Sequence, residues 1–398
     1  MKQHRIVVLG AGYAGAFVAG TLARRLSPKD VEITVVNAEP EFVQRLRLHQ
    51  YAAGQEIEAP RLSEVFAGTG IGLRLARVTA VDPERQVVAV ADADGGDEFG
   101  YDTLVYALGS HGDTHGVPGA AEHAFDVSAR PSAQRLRERL ADLDAGGRVV
   151  VVGDGLTGIE TATEVAESRP GLSVALVARG ELGARLSTGA RGHLRRACER
   201  LGITVWEHTE VESVEAGRVV CADGTVLASD ATIWTAGFAV GPLAAASGLD
   251  VTGDGRIVVD RTMRSVSHPN VYAVGDSALA IGDNGRPLPM SCASAGYTGR
   301  QAVNAIVARL TGCSIVNTKL EYIANHLSLG RRDAILQMVD GEGQAKPKYT
   351  GGGKAARIKA GIVWMSLWAT SHPTFALPRR KHRVTVTPVA SSTEATVA

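Results

Sequence analysis

Two glycine-rich segments, each between an apolar strand and a helical pattern, constrain the fold of this chain more than any other feature. The first reads IVVLGAGYAG from Ile6 to Gly15, and the second reads VVVVGDGLTGIE from Val149 to Glu160. Both have the spacing Gly-x-Gly-x-x-Gly, and both lead through a helical pattern into a further apolar strand, at 31–36 and 173–177. The chain therefore contains two strand–turn–helix–strand units with parallel strands.

A second duplication follows the first. Each unit continues through alternating strands to a short apolar strand that ends in a small residue and a glycine, at 107–109 and at 235–237. A glycine turn at a helix N-terminus offers free N–H groups and a favourable dipole to a pyrophosphate, so each unit should bind a dinucleotide. We predict an α/β chain with two Rossmann-like dinucleotide-binding domains and a smaller C-terminal region.

Bulk properties exclude several classes of protein. The 398 residues exceed a single core, and the formal net charge of zero gives no reason to expect a nucleic acid partner. The four cysteines are far apart in sequence, so we predict neither a metal site nor a redox pair. Because no apolar stretch approaches the roughly 18 residues that span a bilayer, we expect a cytoplasmic protein.

The motifs and their order resemble the two-dinucleotide-binding flavoprotein reductases, and most closely the type II NADH dehydrogenases. The matching segments are GAGYAG, YDTLVYALGS, GDGLTGIETATEVAE and NVYAVGDSA, within about 5–310. The resemblance implies FAD at the first turn and NADH or NADPH at the second. It also implies an enzyme that passes a hydride from NAD(P)H to FAD and then electrons to a quinone or quinone-like acceptor.

The resemblance and the turn positions together predict the site residues. Those expected to bind FAD are Gly10, Gly12, Tyr13, Ala14, Gly15, Asn37, Ala38, Arg47, Val78, Ala107, Leu108, Gly109, Gly275, Asp276 and Ala293. Those expected to bind NAD(P)H are Gly153, Gly155, Thr157, Gly158, Arg179 and Gly237. Glu160 is the candidate catalytic residue, since the family carries a glutamate there near flavin and nicotinamide. Its alternative role is to stabilise the first turn of its helix.

Three positions depart from the family pattern. Asn37 stands where a carboxylate usually bonds the FAD ribose, and it can still form that hydrogen bond. The nicotinamide unit has Arg179 and no carboxylate at the comparable site, which favours tolerance of NADPH unless Arg179 is a solvated loop residue. Ser294 replaces the glutamine that usually lines the quinone slot. Arg47 also has an alternative reading, as a solvated arginine on a helical turn.

The domain borders follow from the motif order. We predict an FAD domain in two parts, 1–112 and 233–312, with an inserted NAD(P)H domain at 113–232 and a docking region at 313–398 that ends in a frayed tail. Within that region, KPKYTGGGK (346–354) is predicted as a flexible turn. A helix is predicted at 355–369, with Trp364 and Trp368 on one face and basic neighbours that include Arg379 and Arg380. That helix is compatible with a membrane surface, a buried contact or a homodimer.

The sequence leaves two other functions open. The first is a soluble flavoprotein oxidoreductase that acts on a specialised aromatic or polyketide metabolite. The second is a redox-responsive flavoprotein similar to apoptosis-inducing factor, in which reduction changes association more than it serves turnover. In each case the expected location is the cytoplasm, with the inner face of the cell membrane as a further site of contact.

Overall fold

The computed structural model describes residues 3–375 and 381–385. The strands, in chain order, are β1 (His4–Leu9), β2 (Val31–Asn37), β3 (Ile71–Leu75), β4 (Arg77–Asp82), β5 (Val87–Asp92), β6 (Gly95–Gly100), β7 (Thr103–Tyr106), β8 (His111–Gly112), β9 (Ala124–Phe125), β10 (Arg148–Val152), β11 (Ser173–Val177), β12 (Thr204–Trp206), β13 (Val211–Glu215), β14 (Arg218–Cys221), β15 (Val226–Ala228), β16 (Ala231–Trp234), β17 (Phe238–Ala239), β18 (Ile257–Val258), β19 (Val271–Ala273), β20 (Ala278–Leu279), β21 (Ala324–Ser328), β22 (Ala334–Val339) and β23 (Ala345–Gly351).

The α-helices are α1 (Tyr13–Arg25), α2 (Leu48–Ala52), α3 (Leu62–Phe66), α4 (Ala120–His123), α5 (Arg130–Ala141), α6 (Leu156–Ser168), α7 (Thr188–Arg200), α8 (Leu243–Ala246), α9 (Cys292–Thr311) and α10 (Gly352–Ser371). Short 3₁₀ turns cover Arg45–Arg47 and Gly275–Ser277.

Two parallel five-stranded sheets form the framework and confirm the predicted fold class. The first has the order β19-β7-β1-β2-β3, and the second has the order β12-β11-β10-β16-β9. The central strands β1 and β10 pair with the next strand in equivalent registers. Leu9 at the end of β1 lies opposite Val36, and Val152 at the end of β10 lies opposite Val177. The carboxyl ends of the central strands therefore carry the two glycine turns in equivalent positions.

The two sheets draw on different parts of the chain. The first contains β19, which comes from residues after the second unit, so the second unit is inserted between strands of the first sheet. The predicted border between 232 and 233 falls inside β16, and this strand pairs with β10 of the second sheet along its whole length. The placement of the domain borders remains a prediction.

The C-terminal region has more regular structure than its sequence predicted. Strands β21, β22 and β23 form an antiparallel sheet, so the prediction of a flexible turn at 346–354 was wrong. Strand β23 is an edge strand, where Pro347 can lack an N–H at little cost. Helix α10 contacts α1 and β22, and β23 contacts α7, so this region joins both parallel sheets.

Apolar side chains bury the interior in separate clusters around the two sheets. The cluster around the second sheet includes Leu327 and Ile335 of the C-terminal sheet, both fully buried. The C-terminal sheet is therefore part of a hydrophobic core and is held to the second unit by burial of apolar surface.

Candidate active site

One large cleft contains both glycine turns. Its volume is about 2000 Å³, and its walls come from both parallel sheets and from the C-terminal region. A pocket for one drug-sized ligand is typically about 300–1,000 Å³, so this cleft has room for more than one such molecule. Among the predicted site residues it is lined by Gly10, Gly12, Tyr13, Ala14, Asn37, Ala38, Val78, Ala107, Leu108, Gly109, Gly153, Gly155, Thr157, Glu160, Arg179, Gly237, Gly275, Asp276 and Ala293.

The glycines of the first turn have distinct steric roles. Gly10 has a φ of +95°, and a methyl group there would lie 2.5 Å from the Ala107 carbonyl oxygen. At Gly15 a methyl group would lie 1.9 Å from the Gly10 carbonyl oxygen, so helix and turn touch there. Gly12 is exposed, and a methyl group would meet nothing within 4 Å. The turn is thus closely packed at Gly10 and Gly15 and leaves open space at Gly12, as a pyrophosphate cradle requires.

The second turn repeats this geometry. Gly153 has a φ of +110°, and a methyl group at Gly158 would lie 1.8 Å from the Gly153 carbonyl oxygen. Gly155 is exposed and, like Gly12, has open space around its Cα. The two turns therefore fit the same kind of ligand, a dinucleotide whose pyrophosphate approaches the backbone at a helix N-terminus.

Asn37 supports the first turn from the end of β2. Its Oδ1 accepts a hydrogen bond of 2.9 Å from the Ala11 N–H, and its Nδ2 donates to the Glu39 carbonyl at 2.7 Å. The amide can do both because it has a donor and an acceptor, whereas a carboxylate could only accept. An asparagine at this position therefore stabilises the turn itself and still lines the cleft.

Asp276 belongs to a polar cluster in which Ser110, Arg45 and Ser277 were not predicted from the sequence. Its Oδ2 accepts a hydrogen bond of 2.7 Å from the Ser110 hydroxyl and lies 3.6 Å from Arg45 Nη1. The neighbouring Ser277 hydroxyl accepts a hydrogen bond from the Gly109 N–H at 2.8 Å. The cluster joins the ends of β7 and β19, which are neighbours in the first sheet. Nothing local in the sequence marks Ser110 as its member.

Of the two arginines in the 3₁₀ turn Arg45–Arg47, only Arg47 was predicted to bind FAD, and that role stays a prediction. Arg45 lines the cleft and lies over the Phe238 ring at 5.6 Å, whereas Arg47 is absent from the described lining residues. Arg47 instead donates from Nε to Gln50 Oε1 at 2.7 Å, and burial lowers its pKa. In the 3₁₀ turn that contains both arginines, residues two apart point in different directions, which explains the difference.

Glu160 lies on the cleft wall and is held by the C-terminal region. Its Oε1 accepts a hydrogen bond of 2.8 Å from the Ser328 N–H and forms an ion pair with Lys359 Nζ. Both side chains are nearly buried, with 12% and 13% of their surfaces exposed, and Lys359 also donates to the His326 carbonyl at 3.0 Å. Burial lowers the pKa of Lys359 to about 7. Glu160 was predicted from the sequence, whereas nothing in the sequence indicates Lys359 as its partner.

The other residues that were predicted to bind NAD(P)H differ in their surroundings. Arg179 is exposed and forms no ion pair or side-chain hydrogen bond with the described residues. Gly237 lies under the His115 ring, since a methyl group there would lie 2.0 Å from His115 Nε2. His115 is itself paired with Asp113 at 2.9 Å, and this contact was not predicted.

All four cysteines are free, and no group of three or more potential metal ligands occurs in the described part of the chain. Cys292 is close to the cleft at the start of α9, where burial raises the pKa of its thiol to about 12. A thiol with so high a pKa is a poor nucleophile at neutral pH.

Helix α10 has one face on the cleft and another towards solvent. Ile362 and Ser366 line the cleft, whereas 64% of Trp364 and 60% of Met365 are exposed. Within the described residues, no helix has the length and apolarity to cross a membrane. The predicted basic neighbours Arg379 and Arg380, and the predicted frayed end, lie outside the described residues.

Comparison with known proteins agrees with this geometry. Residues 4–299 match the pyridine nucleotide-disulphide oxidoreductase family. An NADH dehydrogenase-like protein of Mycobacterium tuberculosis is 32% identical, with 83% of this chain and 87% of that protein covered. A type II NADH:quinone oxidoreductase of Staphylococcus aureus is 26% identical, with 90% and 93% covered. NDH2 of Plasmodium falciparum, solved in complex with NADH, has the same fold, with a TM-score of 0.78, 14% identity, and 94% and 97% of the chains covered.

Proposed function

The chain belongs to the pyridine nucleotide-disulphide oxidoreductase family and is an NAD(P)H dehydrogenase, and on this premise we propose that it uses FAD to reduce a quinone or quinone-like acceptor. The observation that carries the proposal is the pair of equivalent glycine turns that open into one cleft. Two turns with the same open middle glycine, Gly12 and Gly155, support two dinucleotides side by side, and a flavin is a carrier that can accept the hydride of NAD(P)H.

The first turn is the proposed FAD site. Gly12 would leave room for the pyrophosphate, and the N-terminus of α1 would offer it free N–H groups and a positive dipole end. Asp276 would accept a hydroxyl hydrogen bond, with Ser110 and Arg45 fixing the orientation of its carboxylate. When bound, FAD would supply a two-electron carrier between NAD(P)H and the acceptor.

The second turn is the proposed NAD(P)H site. Gly155 and the N-terminus of α6 would receive the pyrophosphate in the same way. Thr157 and Gly237 line the cleft near this turn and would bound the nucleotide on either side. The large shared cleft supports direct contact between the two cofactors, because both turns line it.

Glu160 and Lys359 are the proposed proton-handling pair of the cleft. A quinone that takes up two electrons also takes up two protons, so an enzyme that reduces it needs a proton source near the acceptor. The lowered pKa of Lys359 allows its Nζ to hold or release a proton near neutral pH, and Glu160 Oε1 is its immediate partner. The Ser328 N–H would keep the carboxylate in place while the proton moves.

A peripheral membrane contact through α10 is the proposed route to a lipid-soluble acceptor. The exposed Trp364 and Met365 are on the helix that also lines the cleft. An apolar helix face at the membrane interface would bring a quinone from the lipid towards the cleft wall. A homodimer that covers the same face is the other arrangement, and vesicle binding by the purified protein distinguishes the two.

The deciding experiment is an anaerobic absorbance titration of the purified protein. We expect the visible absorption of a bound oxidised flavin, bleaching on addition of NADH or NADPH, and its return when menadione is added. Heat-released cofactor should chromatograph as FAD. A colourless protein, or a bound flavin that neither nucleotide bleaches, would refute the proposal, and bleaching with no recovery on menadione would refute the quinone acceptor alone.

A further inference from the structure

One wall of the cleft comes from the C-terminal region and contains neither glycine turn. It is formed by β21 and α10, and its apolar side chains include Leu327, Ile362 and Val363. Small organic molecules typically bind between apolar walls that carry a few polar groups, which fix the orientation of the ligand. The polar groups of this wall therefore indicate what it can recognise.

His326 lies in the middle of β21, on the sheet face away from the core of the second unit. It is opposite Leu336 of β22, so these two side chains share a face, whereas Leu327 is buried in the core on the other face. The His326 carbonyl accepts a hydrogen bond of 3.0 Å from Lys359, the partner of Glu160. His326 thus lines the cleft next to this ion pair.

The imidazole ring of His326 is available to a ligand. It forms no hydrogen bond with the described residues, and neither ring nitrogen is among their buried polar atoms that lack a partner. The ring is therefore accessible. Burial lowers the pKa of His326, so the ring is neutral at pH 7 and has one N–H donor.

The hydroxyl groups of the same wall already have partners. Ser366 donates to the Ile362 carbonyl at 2.9 Å, and Tyr322 donates to Asn325 Oδ1 at 2.9 Å. The amide nitrogen of Asn325 has no partner in the described part of the chain, and Asn325 also lines the cleft. The His326 ring and the Asn325 amide are thus the two candidate donors for an oxygen atom of a bound molecule.

We propose that His326 recognises the electron acceptor by donating its ring N–H to a carbonyl oxygen of a quinone. The inference rests on the proposed function and names the residue that selects the acceptor at that site. The carbonyl oxygen gains negative charge as the quinone takes up electrons, so the hydrogen bond becomes stronger during reduction. NAD(P)H, one proton and the quinone give NAD(P)⁺ and the hydroquinone, a balance in which His326 keeps its own proton.

The test compares an acceptor that has carbonyl oxygens with one that has none. His326→Leu removes the donor, and we expect it to lower kcat/KM for menadione by about 5- to 50-fold, as the loss of one hydrogen bond predicts. Reduction of ferricyanide, which has no carbonyl oxygen and takes up no proton, should be unchanged, as should bleaching of the flavin by the nucleotide. His326→Gln keeps an N–H donor and should restore most of the activity with menadione.

His123→Leu is the matched control. His123 is exposed on α4, does not line the cleft and forms no side-chain hydrogen bond with the described residues. This variant should behave as wild type with both acceptors. Flavin content and the thermal midpoint of every variant show whether the fold is kept.

Isothermal titration of the oxidised, cofactor-loaded protein with menadione separates the inference from the proposed function. Menadione binding and turnover that His326→Leu leaves unchanged would refute the role of His326 and keep the reductase function. Equal losses with menadione and ferricyanide would also refute it, since they indicate a structural role. A loss in Asn325→Leu alone would assign the carbonyl oxygen to Asn325. Menadione binding that His326→Leu weakens, in a protein whose flavin neither nucleotide bleaches, would refute the reductase function and keep the assignment of His326.

Discussion

Replacing the middle glycine of each turn by alanine should separate the two cofactor sites. We expect Gly12→Ala to reduce FAD content and Gly155→Ala to weaken NAD(P)H binding, each without loss of the fold. Both residues have a negative φ, −71° and −66°, which alanine adopts freely. A methyl group at either position meets no protein atom within 4 Å and would extend into the space proposed for a pyrophosphate.

The size of the effect follows from the contacts at stake. A methyl group that keeps a phosphate from the helix N-terminus removes one or two charge-assisted hydrogen bonds, each worth about 1.5–3 kcal/mol. Loss of one such bond weakens binding by roughly 10- to 100-fold. Because nothing in the protein is displaced, the free energy of unfolding of the ligand-free protein should change by less than about 1 kcal/mol.

The third glycine of each turn provides the contrasting variant. Gly15→Ala and Gly158→Ala would bring a methyl group to 1.9 and 1.8 Å from a carbonyl oxygen, whereas an ordinary contact needs at least 3.4 Å. Helix and turn must therefore separate, at a cost of about 1–3 kcal/mol or more. These variants should lower the thermal midpoint even without ligand, unlike the variants at the middle glycine.

The assay is flavin content by absorbance after heat release, together with the KM for the nucleotide in protein reconstituted with FAD. We expect Gly12→Ala to lose flavin and Gly155→Ala to keep it with a raised KM. The reverse pattern would exchange the two sites. Full flavin content and an unchanged KM in both variants would show that neither turn receives a pyrophosphate, and would refute the reasoning.

Three further predictions concern other parts of the molecule. Burial lowers the pKa of His49 to about 3, so this histidine stays neutral in the folded protein at neutral pH. Because the unfolded chain binds a proton at His49 below about pH 6.5, the free energy of unfolding should fall by about 1.4 kcal/mol per pH unit as the pH drops from 6.5 towards 3. Urea unfolding at pH 7 and at pH 5 should therefore show a smaller loss of stability in His49→Leu than in wild type. Lys359→Met should lower the thermal midpoint, because it leaves the Glu160 carboxylate charged and nearly buried at a cost of up to about 3–5 kcal/mol. Adding Glu160→Gln to this variant should restore part of the lost thermal midpoint. Additive losses in the double variant would contradict the ion pair. Serine at both Trp364 and Met365 should reduce sedimentation with anionic vesicles while turnover with a water-soluble quinone stays unchanged, and a wild-type protein that leaves vesicles unbound at low salt would contradict membrane docking.

The sequence was sufficient for the parts of the fold that depend on neighbouring residues. The strand–turn–helix order of both units could be read directly, and β11 has the limits that were predicted for it, 173–177. The steric roles of Gly10 and Gly15 are also local, because the turn that they form closes within six residues. A positive φ and a close helix approach each require glycine, so the residue type itself carries the information.

Composition was a poor guide to the C-terminal region. The segment 346–354 is rich in glycine and lysine, which favours a loop, yet most of it belongs to β23. Its pairing with β22 gives the strand backbone hydrogen bonds that no local propensity could reveal, and its edge position tolerates Pro347. Tertiary pairing therefore overrides local preference here.

Only the tertiary structure decided which side chains meet in the cleft. Glu160 and Lys359 are 199 residues apart in sequence, and Ser110 and Asp276 are 166 apart, so neither contact has a local sequence signal. Which of Arg45 and Arg47 lines the cleft likewise depends on the direction of one 3₁₀ turn relative to the first sheet. A glycine turn is determined by the backbone conformations that a few adjacent residues allow. The contacts in the cleft depend instead on how elements distant in sequence pack against each other, and the order of residues along the chain does not reveal that packing.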